Sequence, residues 1–292
     1  MPDMLPCPPP DPQPRAPRFK LPPGAWDTHG HIFGPESKYA YSPRRGYTPP
    51  DALLDAYETL HRTLGVARGV LTQPSVYGVD NTAMLDAMAR SGGRLMGVAS
   101  VDKNASEADL TRLHEAGVRG LRINLADKGG NPFDSFADVQ AMGDCIVDMG
   151  WHMEFLIHVH EFPDLRKTFS SLPVHSVFGH MGYVPAGEGL GPLQEFMDLL
   201  KEGRTWVKLT GAYRITSLER TPYTDVDPIA RALIEAAPER VIWGTDWPHP
   251  VCKIPMPNDG DLLDQLLDWA PEESVREKIL VENPLKLLGI AR

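Results

Sequence analysis

Beyond residue 23 the chain alternates short aliphatic or β-branched runs with longer amphipathic stretches. The short runs predict strands over 25–31, 67–73, 95–101, 120–124, 153–159, 174–179, 206–210 and 240–243. Between them, apolar positions at helical spacing predict helices over 51–64, 81–91, 107–116, 136–149, 162–170, 193–201 and 225–236. Two further amphipathic segments, 261–269 and 272–288, follow the eighth strand.

Eight strand–helix alternations predict a parallel sheet, and their number fits a (β/α)8 TIM barrel. A doubly wound open sheet is the competing architecture, but the first strand ends in His29-Gly30-His31 rather than a glycine-rich phosphate turn. No linker or solenoid-like repeat divides residues 24–292, which read as one domain. Residues 1–23 are dense in proline and lack the apolar core of a secretory signal. They read as an extended arm that lies over the domain or frays, or docks on a neighbouring subunit of a homo-oligomer.

Composition narrows the function. A hydrophobic fraction of 42% over 292 residues is ample for a core, and no apolar run approaches a membrane span. A net charge of −10 argues against nucleic acid, whose phosphates need a basic face. An anionic small molecule would need cations inside its pocket to overcome that field. Cys7, Cys145 and Cys252 are isolated and predict free thiols in a reducing cytoplasm.

Catalytic groups of such barrels gather at the C-terminal ends of the strands. His29 and His31 end the first strand, Arg122 and Asn124 the fourth, His158 and His160 the fifth, and His180 the sixth. Lys208, Thr210 and Arg214 lie at and beyond the seventh, and Asp246 follows the eighth. Side chains two apart on a strand share a face, so His29 and His31 can enter one cavity. Three histidines and an aspartate suffice to hold Zn2+ with an open position. His158 stays open between ligand and bystander, while His61, His114, His152 and His175 read as surface or structural.

These residues carry a family resemblance. His29-Gly-His31, Gly-His180-Met-Gly and Trp243-Gly-Thr-Asp246-Trp-Pro-His-Pro resemble the amidohydrolase superfamily. Together with 22–35, 42–47, 73–81 and 120–124 they resemble its branch of 2-pyrone-4,6-dicarboxylate lactonases, 4-sulfomuconolactone hydrolases and sugar-acid lactonases. The resemblance implies hydrolysis of a small anionic lactone in aromatic-acid catabolism, with Asp246 as proton shuttle beside His31 and His180. It implies one divalent metal, Zn2+, on His29, His31, His180 and Asp246, with His158 a further candidate, although the branch has members that work without metal. It places Tyr47, Ser75, Tyr77, Arg122, Lys128 and Arg214 against the substrate. Lys128 and Tyr183 replace expected arginines, and Leu156 an expected tyrosine. A 2-pyrone-4,6-dicarboxylate-like lactone is the substrate the resemblance implies first; the pocket is less cationic than a dedicated dicarboxylate site, which keeps a 4-sulfomuconolactone or a sugar-acid lactone as the alternatives. A metal-dependent decarboxylase of the same superfamily is the rival reaction, and it would use His158 with His180.

Overall fold

The computed structural model describes residues 4–126 and 131–291, so Lys128 lies outside the described residues. The strands are β1 Trp26–Gly30, β2 Arg68–Thr72, β3 Leu95–Ala99, β4 Val118–Asn124, β5 His152–Leu156, β6 Ser176–Phe178, β7 Thr205–Leu209 and β8 Val241–Trp243. They lie in sequence order, each parallel to the next. Nearly every strand residue is buried, as expected where a parallel sheet is filled inside and covered outside. The covering helices are α1 Leu54–Leu64, α2 Thr82–Arg90, α3 Glu107–Glu115, α4 Phe136–Ile146, α5 Leu165–Ser170, α6 Gln194–Lys201, α7 Asp227–Ala236 and α8 Asp259–Trp269. Ser106 with Asp109, and Ser135 with Asp138, form capping boxes that start α3 and α4.

Trp26, Val70 and Val98 pack with Leu288, and Val177, Trp206 and Ile242 with Leu287, so the final turns of the chain cover the start of the barrel strands. The seam between β8 and β1 closes mostly just past the strands. Thr28 Oγ1 donates to Trp243 O at 2.7 Å, Asp246 N to His29 O at 2.8 Å, and His31 N to Trp247 O at 2.8 Å. Glycine at 244 permits this approach, because a Cβ there would lie 2.7 Å from His29 N.

A fully buried carboxylate, Asp27, ties the seam together. Its Oδ1 accepts from His29 N at 3.1 Å and Thr245 N at 2.9 Å. Its Oδ2 accepts from Thr245 Oγ1 at 2.7 Å and Tyr57 OH at 2.9 Å, with His61 Nε2 at 3.2 Å. Thus His61, expected to be surface or structural, is buried and reaches from α1 to the first strand.

The arm runs along α8. Arg15 N donates to Asn258 Oδ1 at 2.9 Å, the Arg15 guanidinium pairs with Asp261 and Asp264, and Arg18 N donates to Asp264 Oδ1 at 2.6 Å. A Cβ on Gly260 would meet Arg15 O at 2.2 Å, so glycine there lets the arm touch the helix. Further upstream, Leu5 N donates to Gly46 O at 3.0 Å.

Two outcomes are expected. Asp27→Ala would leave several buried donors unpartnered and should destabilise the fold by about 3–5 kcal/mol, read as a lowered urea midpoint. Burial alone would raise the Asp27 carboxyl, but the His61 and Thr245 donors outweigh it and hold it below its ordinary value. Its stabilisation is therefore full above roughly pH 4 and fades as pH falls through the depressed value, so wild type and variant should converge in acid. Gly260→Ala should detach the arm and leave the barrel folded. Faster tryptic cleavage at Arg15, Arg18 or Lys20 with a nearly unchanged melting temperature would verify it.

Candidate active site

The strand ends bring the two halves of the chain together. His29 and His31 share one face, with ring centroids 4.9 Å apart, and both point Nε2 at Asp246 Oδ1, each at 3.4 Å. Asp246 sits at positive φ (62°), a conformation that turns its carboxylate back over β1. His31 Nδ1 lies 2.7 Å from Thr72 O, which only accepts, so this nitrogen carries the proton and Nε2 presents a lone pair. Burial and the nearby Lys208 charge push His29 down to about 4, so its ring is neutral at pH 7.

The donor atoms of His29, His31 and Asp246 lie within 4.8 Å of one another. His29 Nε2 and Asp246 Oδ1 are buried and have no hydrogen-bond partner among the described residues. Two imidazole nitrogens and a carboxylate oxygen converging in this way fit one divalent cation.

His180 approaches the other carboxylate oxygen, Nδ1 to Oδ2 at 3.8 Å. Thr210 Oγ1 accepts from His180 N at 3.1 Å and lies 2.9 Å from its Nδ1, clamping the ring between main chain and hydroxyl. Gly211 makes room for it. Its φ is +61°, and a Cβ there would stand 2.7 Å from His180 Nδ1 and 3.0 Å from Arg214 Cδ.

Asp246 Oδ2 also accepts from Tyr213 OH at 2.5 Å and Arg214 Nε at 2.7 Å. Burial would raise the Asp246 carboxyl, but Arg214 and the imidazoles overcome it and hold the group well below the carboxylate range. Below His29 lie two buried charges, Glu154 on β5 and Lys208 on β7.

Above these groups opens a cavity of about 780 Å3. His31, His180 and Asp246 line it, as do Tyr47, Ser75, Arg122 and Arg214. Arg122 Nη1 donates to Glu154 Oε1 at 2.5 Å, so its guanidinium is tethered from behind. Arg44, Arg45 and Lys253 add cations to the wall, and Asp246 is the only carboxylate among the described lining residues. Tyr77 is placed elsewhere: its hydroxyl accepts from Gly34 N at 2.8 Å and its ring packs on Tyr41. His158 lines the cavity, but it packs on Tyr183 at 5.0 Å and neighbours His160 and Glu161 instead of the imidazole pair.

The sequence places Lys208 on the rim without a role, and it does not single out Glu154 or Tyr213. The signal was available, since a lysine and a glutamate inside aliphatic strands are costly to bury without partners.

The pattern of the amidohydrolase family matches residues 26–290. A 4-sulfomuconolactone hydrolase of Hydrogenophaga intermedia is 39% identical over 281 residues, 93% of this chain and 91% of the relative. A 2-pyrone-4,6-dicarboxylate hydrolase of Comamonas testosteroni is 39% identical over 287 residues, 94% and 93% of the two chains. Among solved structures, an apo protein of Agrobacterium tumefaciens superposes with a TM-score of 0.81 at 28% identity, covering 94% of this chain and 99% of that one.

Gly211→Ala should force a Cβ into His180 and strain the left-handed backbone by about 1–2 kcal/mol. A modest drop in urea midpoint with a large loss of activity is expected. Full activity in that variant would show that the His180 clamp is dispensable.

Proposed function

The chain belongs to the amidohydrolase family, and from that premise we propose that it hydrolyses the ester bond of a small anionic lactone in aromatic-acid catabolism. One observation carries the reading: His31, His180 and Asp246, with His29 buried behind them, meet on one side of a cavity whose other charged walls, among the described residues, are arginines and a lysine. The names of the relatives at 39% identity agree with it.

In this reading the lactone carbonyl lies against His31 and His180, with its anionic groups on Arg122 and Arg214. Guanidinium forks suit carboxylates because they donate parallel bonds in a fixed plane. Water attacks the carbonyl carbon and Asp246 takes its proton. The ring C–O bond breaks, and Asp246 returns the proton to the leaving enol or alkoxide oxygen. Arg214 also tunes the base. A substrate anion on its guanidinium offsets the positive charge that holds Asp246 low, so the carboxylate gains basicity when substrate arrives.

His29, His31 and Asp246 would hold a Zn2+, which supplies Lewis-acid stabilisation of negative charge on the carbonyl oxygen. His180 stands beside this trio. With the Thr210 hydroxyl donating to Nδ1, its Nε2–H serves as a hydrogen-bond donor to the same oxygen. Outside the trio, His158 packs on Tyr183, which favours hydrolysis over the decarboxylase reading.

Tyr183 and Leu156 line the cavity without charge, so among the described residues the site offers fewer fixed cations than a fully arginine-lined dicarboxylate pocket. A 2-pyrone-4,6-dicarboxylate-like lactone is the first candidate and a sulfonated muconolactone the second. Free Cys7, Cys145 and Cys252 agree with a cytoplasmic setting. No helix among the described residues is long and apolar enough to cross a membrane.

Loss of pyrone absorbance from 2-pyrone-4,6-dicarboxylate, followed before and after exhaustive chelation, tests the proposal. Turnover that falls on chelation and returns with Zn2+ would support the metal site, and turnover that survives would make the imidazoles hydrogen-bonding groups alone. Failure on this substrate and on sulfonated and sugar-acid lactones would overturn lactone hydrolysis. Asp246→Asn should lower kcat by about 10²–10⁴-fold with the fold retained, read from an unchanged circular dichroism spectrum. Near-normal turnover would remove Asp246 as the base.

A further inference from the structure

Two ionisable side chains, Glu154 and Lys208, lie enclosed under the imidazole pair, where the barrel would be filled more cheaply by aliphatic groups. Glu154 Oε1 is 3.0 Å from His29 Nδ1 and also accepts from Arg122 Nη1 at 2.5 Å. Glu154 Oε2 accepts from Lys208 Nζ at 2.5 Å, and Lys208 also donates to Thr28 O at 2.6 Å. We propose that Glu154, held by Lys208, is a positioning residue that fixes which nitrogen of His29 bears the proton. Through the same oxygen it aims Arg122 at the cavity.

The argument rests on donors and acceptors. An ionised carboxylate only accepts, so its contact with His29 Nδ1 requires Nδ1–H. The Nε2 lone pair is then left facing Asp246 Oδ1 at 3.4 Å. In the opposite tautomer His29 Nδ1 would accept from Lys208 Nζ at 3.2 Å, and Nε2–H would point at Asp246. Only the Lys208 half of that second line forms: among the described residues His29 Nε2 and Asp246 Oδ1 have no hydrogen-bond partner, and the Glu154 contact at 3.0 Å is the shorter of the two on Nδ1. Lys208 Nζ and Arg122 Nη1 both donate to Glu154, so two cationic donors face the carboxylate and it serves as the acceptor. Nothing in this argument requires the substrate to be a lactone, although the role of Arg122 toward an anion rests on that reading.

Nitrogen NMR of histidine-labelled, metal-free protein at pH 7 reads the tautomer directly, with His29 assigned by the signals that vanish in His29→Asn. Wild type should show a protonated Nδ1 and a pyridine-like Nε2. Glu154→Gln should mix or reverse that pattern, and zinc affinity measured against a chromophoric chelator should fall by about 10–100-fold. If Glu154→Gln does not fold, Glu154→Asp, which withdraws the carboxylate by one methylene, is read in the same two ways. A wild type carrying Nε2–H would overturn the proposal. So would a folded variant that keeps both tautomer and zinc affinity. Neither readout uses turnover, so failure of the lactone assay would count against the function and leave this test intact.

Discussion

The burial of Asp27 at the β1–β8 seam is the constraint on which the rest of the molecule depends. Its two oxygens gather donors from β1, from α1 and from the loop after β8. That loop carries Asp246, and β1 carries the histidines. A carboxylate with no catalytic contact therefore sets the spacing between two parts of the chain more than two hundred residues apart. Gly244 has the complementary task of keeping side-chain volume out of the join.

Much of this was legible in the residues. Short aliphatic runs gave all eight strands to within a few positions, because parallel strands buried on both faces leave an unbroken apolar signature. His29, His31, His180 and Asp246 could be read as a group because strand ends in such a barrel must face one rim. The sequence was silent on partners. Nothing in its order says that Arg122 is tethered by Glu154, that Arg214 lies on Asp246, or that Tyr77 turns to Gly34. Those contacts depend on side-chain directions fixed only when strands 30 to 180 residues apart are packed. Lys208 was visible at a strand end, yet its role emerges only once Thr28 and Glu154 surround it.

The charge distribution shows two opposed scales. At long range the molecule is acidic, with a net charge of −10. Within the cavity the balance reverses, because among the described lining residues arginines and a lysine surround a single carboxylate. Screening at physiological salt acts over about 8 Å, so an anion near the mouth responds to the wall more than to the distant surface. The two innermost guanidiniums are each tied to a buried acid. This keeps their planes fixed before any ligand arrives and lowers the entropy lost on binding.

The arm has a practical consequence for handling the protein. Leu5 bonds to Gly46 and lines the cavity, whereas Leu287 and Leu288 pack at the opposite end of the barrel. The two ends of the described chain thus open onto opposite faces. A purification tag or fluorescent fusion placed upstream of Leu5 would hang beside the entrance and compete with whatever enters. The same fusion after Ile290 would project from the closed floor, which makes that end the natural point for immobilising the enzyme on a surface with its mouth outward.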